Sequence, residues 1–189
     1  MSERKQNKKI DKRAPVIVGV GDLVDRSKED GLNPQELLAK ACEHAIQDSG
    51  IKELNKHIDY VGVVRFTVDF LTATNQSNFQ YSNFPRTLAN KLNVSAKNEV
   101  YAPMGGNSPQ VLLEDALVKI SSGETDCALL SGGEALQTMI AKLKAGMSLD
   151  WLDEPGGSPE MIGNNDIGFS DHEKLHRSEE RRVGKECER

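Results

Sequence analysis

Apolar and polar positions change period several times along the chain, and each change marks an element. Residues 14–20, APVIVGV, are an uninterrupted β-branched run and predict a buried strand. Asn33 and Pro34 then open a helix: Asn is a good N-cap, and Pro at the first position loses no hydrogen bond. Leu37, Leu38, Ala41, Ala45 and Ile46 line one face of it, and Gly50 ends it. Residues 58–66, IDYVGVVRF, predict a second strand. Residues 67–83, TVDFLTATNQSNFQYSN, are polar and aromatic and predict a loop. A short helix over 84–92 and a short strand over 99–102 follow.

The stretch from 102 to 124, APMGGNSPQVLLEDALVKISSGE, has the build of a strand end, a glycine turn and a helix. Ser108-Pro109 repeats the Asn33-Pro34 device, with Ser108 expected as N-cap. Val111, Leu112, Ala116, Leu117 and Ile120 form the expected buried stripe, and Gly123 the stop. CALLSGG, from Cys127, is the next strand. This alternation implies an α/β fold with a layered sheet. SPQVLLEDAL echoes NPQELLAKAC, but two copies do not make a solenoid. Beyond Leu136, glycines, prolines and short amphipathic pieces predict an excursion from the repeating pattern.

The chain has 189 residues, enough to bury a core of its own. Aromatics are only 5%, which does not exclude a core, since Val, Leu, Ile and Ala fill the periodic segments. A net charge of −5 argues against a general nucleic-acid binder. The three cysteines, Cys42, Cys127 and Cys187, are widely spaced and form neither a disulfide framework nor a metal knuckle. A reducing compartment is the simplest reading. No apolar run reaches the length of a membrane span, and the basic leader MSERKQNKKIDKR has no apolar stretch after it.

The glycine turn is the most informative candidate site. Free N–H groups at the helix start suit an anion or an oxyanion, and Gly105 and Gly106 admit a ligand close to the backbone. Other motifs are weaker. GVGD, residues 19–22, lacks the third glycine and the immediate helix of a dinucleotide turn. HEKLH, from His172 to His176, has the letters of a zinc helix, but Ser170 and Glu173 also make a capping box that explains the Glu without metal. Cys42 and Cys127 sit in apolar patterns and read as core thiols. His44 and His57 read as surface or cap residues.

Residues 105–136, GGNSPQVLLEDALVKISSGETDCALLSGGEAL, resemble the nucleophile helix and following strand of the thiolase superfamily. Ser122-Gly123-Glu124 anchors the match and Gly132-Gly133-Glu134 supports it; PVIVGVGDLVDR is similar to the family's first strand. The family opens this helix with C-x-S-G. Counting back from Gly123 places Gly106 at the nucleophile position and Ser108 at the motif's serine. The chain is also similar to the acetyl-CoA acetyltransferase-like subgroup, in which a G-G-N-S/T-P-Q turn replaces the cysteine motif.

The resemblance implies a thiolase-like layered fold, N-terminal half only, with a mixed sheet and packed helices. It implies an acyl-CoA acyltransferase-like protein of lipid metabolism, cytoplasmic, a possible homodimer at full length, with acyl-CoA as substrate or ligand and no further cofactor or metal. Gly105, Gly106, Asn107 and Ser108 are the implied substrate-binding residues. No catalytic residue is assigned, because glycine cannot form an acyl-enzyme. The alternative is a non-catalytic acyl-CoA-binding or partner-binding module on the same fold. The expected organisation is a disordered basic leader over 1–13, the α/β half-domain over 14–136, the start of an insert over 137–176, and a non-native tail over 177–189. RSEERRVGKEC in that tail resembles a translated adapter sequence, which makes a fragment with poor solubility the expectation.

Overall fold

The computed structural model describes residues 12–67, 81–149, 151 and 153–163. Four helices and four strands are built from these. In chain order they are α1 (Pro34–Asp48), β1 (Tyr60–Val64), α2 (Phe84–Lys91), β2 (Asn98–Ala102), α3 (Ser108–Ser122), β3 (Ala128–Ser131), α4 (Leu136–Lys144) and β4 (Glu160–Met161). The sheet order is β3-β1-β2-β4, and every pair is parallel. The fold is α/β, as the alternating pattern predicts, but among the described residues the sheet is parallel throughout rather than the mixed sheet that the resemblance implies, since each strand is joined to the next by a crossover and not a hairpin.

Side-chain caps start α1 and α2. The Asn33 side chain accepts the Glu36 amide at 2.8 Å, ahead of Pro34. Asn83 does the same for α2, accepting from Arg86 N at 3.2 Å. Gly123 closes α3 with φ of 83°, a left-handed cap that glycine adopts without steric cost. α4 and β4 fall where the sequence pattern predicts only an excursion. Leu136 and Met139 of α4 pack against the main core, and this tertiary contact supplies what a short amphipathic piece does not advertise.

The sheet has two unequal faces. On one, α1 and α2 cover Val61, Val63, Tyr101 and Leu129, with Phe66, Tyr81 and Phe84 in edge-to-face contact 4.8–5.5 Å apart. On the other, α3 covers a smaller cluster of Tyr60, Val100, Ala102, Leu112 and Ala116. Gly62 permits that contact: a Cβ there would sit 2.8 Å from Leu112 Cδ1. The Tyr60 hydroxyl donates to Asp115 at 2.8 Å, and Lys119 reaches Glu160 at 2.8 Å, so α3 is tied to both β1 and β4. Burial, and then the Asp115 carboxylate, push the Tyr60 hydroxyl well above its ordinary range.

Asp59, just before β1, organises the lower end of the sheet. Its carboxylate accepts the amides of Asp126 (3.2 Å) and Cys127 (3.1 Å), and its carbonyl accepts those of Lys97 (2.8 Å) and Asn98 (3.0 Å). One residue thus holds the entries to β2 and β3 on either side of β1. The resulting register sets Val63 level with Tyr101 and with Ser131.

The first expected strand is corrected. Residues 14–20 belong to no strand, and Val16 and Ile17 are 77% and 79% exposed. The reason is a competing dock. Gly19 and Gly21 let the backbone lie against the Ala45 and Ala41 carbonyls of α1, with no room for a Cβ at either. Val20 N donates to Asp48 Oδ2 at 2.9 Å, and the His44 ring meets Asp22 O at 2.9 Å. The small face of α1 thereby receives this segment, while Leu38, Ala39 and Cys42 face the core. The predicted stripe of α1 is rotated accordingly.

In α3 the stripe is narrower than expected. Leu112 and Ala116 are buried, whereas Leu117 is 39% exposed. The expected zinc-like helix and non-native tail lie outside the described residues, as do most of the 67–83 loop and of the leader.

Candidate functional site

The upper ends of β1, β2 and β3 and the start of α3 enclose an open cleft of about 620 Å³. Parallel strands all deliver their carboxyl ends to one edge, where ligands of open α/β sheets bind. Val64, Met104, Leu112 and Leu130 make apolar walls. Gly105 and Gly106 line one side through their backbone, and Gly132, Gly133 and Glu134 form the opposite rim.

The glycine turn is open toward this space. A Cβ at Gly106 would meet nothing within 4 Å, and one at Gly105 would meet only Ser108 Oγ at 3.2 Å and Asn107 Oδ1 at 3.3 Å. The turn is closed by Ser108 N donating to Gly105 O at 3.1 Å. The amides of Gly105, Gly106 and Asn107 have no acceptor among the described residues. They are free donors at the positive end of a 15-residue helix.

Ser108 is not the cap that its Asn33-like setting predicts. Asn107 holds the cap position with φ −95° and ψ −8° and makes no side-chain cap bond. Its near-helical backbone moves the helix boundary one residue earlier, so Ser108 becomes the first helical residue and is 2% exposed. Gly105 and Gly106 line the cleft; Asn107 and Ser108 stand behind them and do not.

Two further cleft residues have no site role assigned from the sequence, although Glu134 stands in the Gly132-Gly133-Glu134 match. Arg65 sits on the β1 side, its guanidinium 5.2 Å from the Tyr101 ring centre. Glu134 sits on the β3 side and accepts both the amide and the hydroxyl of Thr67 at 2.7 Å. The available signal was the glycine pair directly after β3, which marks a strand end that turns at the same sheet edge.

Neither described cysteine serves the cleft. Burial pushes the Cys42 thiol up to about 11, eased by the Ser131 hydroxyl. The Cys127 thiol is also pushed up, first by burial and then by Asp59. Both are poor nucleophiles near neutral pH. Among the described residues no group of His, Cys, Asp or Glu is arranged to hold a metal, and no helix is long and apolar enough to cross a membrane.

Among solved structures the chain is similar to a monomeric SCP2-thiolase-like protein type 1 from Mycobacterium smegmatis, at 31% identity and a TM-score of 0.50. The fold is thiolase-like. The match covers 65% of this chain and 24% of that protein, so the chain spans about a quarter of its length. No family model matches the chain, and no curated protein matches it either. This thiolase-like α/β layer carries the glycine turn at the upper edge of its sheet, where β2 hands over to α3.

Proposed function

We propose that the chain is an acyl-CoA acyltransferase-like protein of the thiolase superfamily that handles the thioester without a covalent acyl-enzyme. The observation that carries this reading is the free-donor turn at the start of α3, opening into an apolar-walled cleft. The thioester carbonyl oxygen sits against the amides of Gly105 and Gly106, where developing negative charge is stabilised by donors already in place. The acyl group lies among Val64, Leu112 and Leu130. Transfer is direct, because Gly106 offers no atom to acylate: a nucleophilic acceptor attacks the thioester carbonyl, the C–S bond breaks, and CoA leaves as its thiol, taking up the proton that the acceptor loses. The likeness to an SCP2-thiolase-like protein supports the superfamily part of this reading.

A second reading has its own observation. The two described thiols are both pushed up, and neither lines the cleft, which favours a module that binds acyl-CoA without turning it over. Titration of acetyl-CoA against free CoA by calorimetry tests the shared part. Preference for the thioester is expected; equal affinity for both, or none, refutes an acyl site at the turn. Product analysis with a thiol or acyl-CoA acceptor then separates transferase from binding module.

A further inference from the structure

We infer that Glu134 is a positioning residue that sets the acyl-length preference of the cleft; the inference rests on the acyl-CoA reading above. The cleft is a gap between two strand exits. One wall leaves β1 through Val64 and Arg65, and the other leaves β3 through Leu130 to Glu134. Pairing between β1 and β3 ends at Val63 and Ser131. Above that level no ladder hydrogen bond fixes the separation of the two exits.

Glu134 supplies the missing tie. A single carboxylate oxygen, Oε1, takes both Thr67 N–H and Thr67 Oγ–H at 2.7 Å. Charge-assisted bonds of this length are the strong class. Thr67 lies four residues beyond the last β1–β3 pair on its side and Glu134 three beyond it on the other, so the staple crosses the gap within one residue of level. The acyl group enters between these exits, above Leu112. Holding the walls at a fixed separation favours a short acyl chain that fills the gap, and releasing them favours a chain able to prop the gap open.

The test compares Glu134→Ala and Glu134→Gln with the unaltered chain, by calorimetry with acetyl-CoA and octanoyl-CoA. Gln keeps an acceptor oxygen and should retain the preference. Ala should weaken acetyl-CoA about tenfold and leave octanoyl-CoA within about threefold, the scale expected for losing one charge-assisted tie. Hydrogen exchange of the Thr67 amide reports the staple directly and should accelerate in Glu134→Ala only. Equal losses for both thioesters, or no change once Thr67 exchange has accelerated, overturns the inference while leaving the acyl site standing. If the unaltered chain binds neither thioester, the acyl reading itself falls and takes the inference with it.

Discussion

Gly106→Cys is the sharpest probe of the turn. A Cβ at Gly106 has open space on all sides, and Gly106 is not among the glycines with positive φ, so the side chain enters without strain. The new thiol would stand at the start of a 15-residue helix, beside amides with no other acceptor. Such a position lowers a thiol from about 8.5 toward about 7. At pH 7 the thiolate fraction then rises from about 3% to about a half, and alkylation should speed up about tenfold or more. The background is quiet: Cys42 is pushed up to about 11, and Cys127 is also pushed up. Cys187 is replaced by Ser to remove the third thiol. The assay is iodoacetamide labelling across pH 5–10, followed by intact mass. With acetyl-CoA the variant should also gain an acetyl group that hydroxylamine removes. A labelling midpoint at or above that of a free thiol would show that the α3 amides do not act on the cleft and stabilise no oxyanion there.

Three further outcomes are expected. Leu112→Ala removes the central side chain of the small α3 cluster and should cost about 2–5 kcal/mol in urea unfolding; a loss below about 1 kcal/mol would mean that α3 is not held by this contact. Stability should fall as pH rises from 9 toward 11, because the Cys42 thiol ionises near 9.0 when exposed but near 11 when folded, so the unfolded chain loses its proton first. The sign is that of a raised acid: the contribution is intact below 9 and lost above it, and Cys42→Ala should flatten that part of the profile. The exposed Val16, Ile17, Val18 and Val20, together with Leu117 and Val118 of α3, should make the chain self-associate with rising concentration; a monodisperse monomer across the accessible range in light scattering would contradict this.

The helices and inner strands were legible because their signals are local. Asn33-Pro34, Gly123 and the β-branched run before Arg65 act on their own neighbours. Residues 14–20 were misread for the opposite reason. Their composition suits a strand, but pairing needs a free edge, and the glycines at 19 and 21 gave the backbone a helix to lie on instead. Ser108 copied the letters of Asn33 without its geometry, since a near-helical Asn107 had already begun the turn. At the site, the glycine turn stood out in sequence. Glu134 and Arg65 did not, because their part depends on strands 60–64 and 128–131 being neighbours, a fact held in the sheet order.

Asp59 lies at the foot of the sheet, yet it acts as the surveyor's datum for the top. Strands of four or five residues have little length over which an error in alignment can be absorbed. A slip of one residue at the Asp59 anchor would raise or lower a whole neighbouring strand by about 3.3 Å and reverse which of its side chains face α3. Fidelity of assembly at one edge is therefore the same quantity as accuracy of aim at the other. A variant of Asp59 can keep every helix and strand and still present the glycine turn to the wrong part of its ligand.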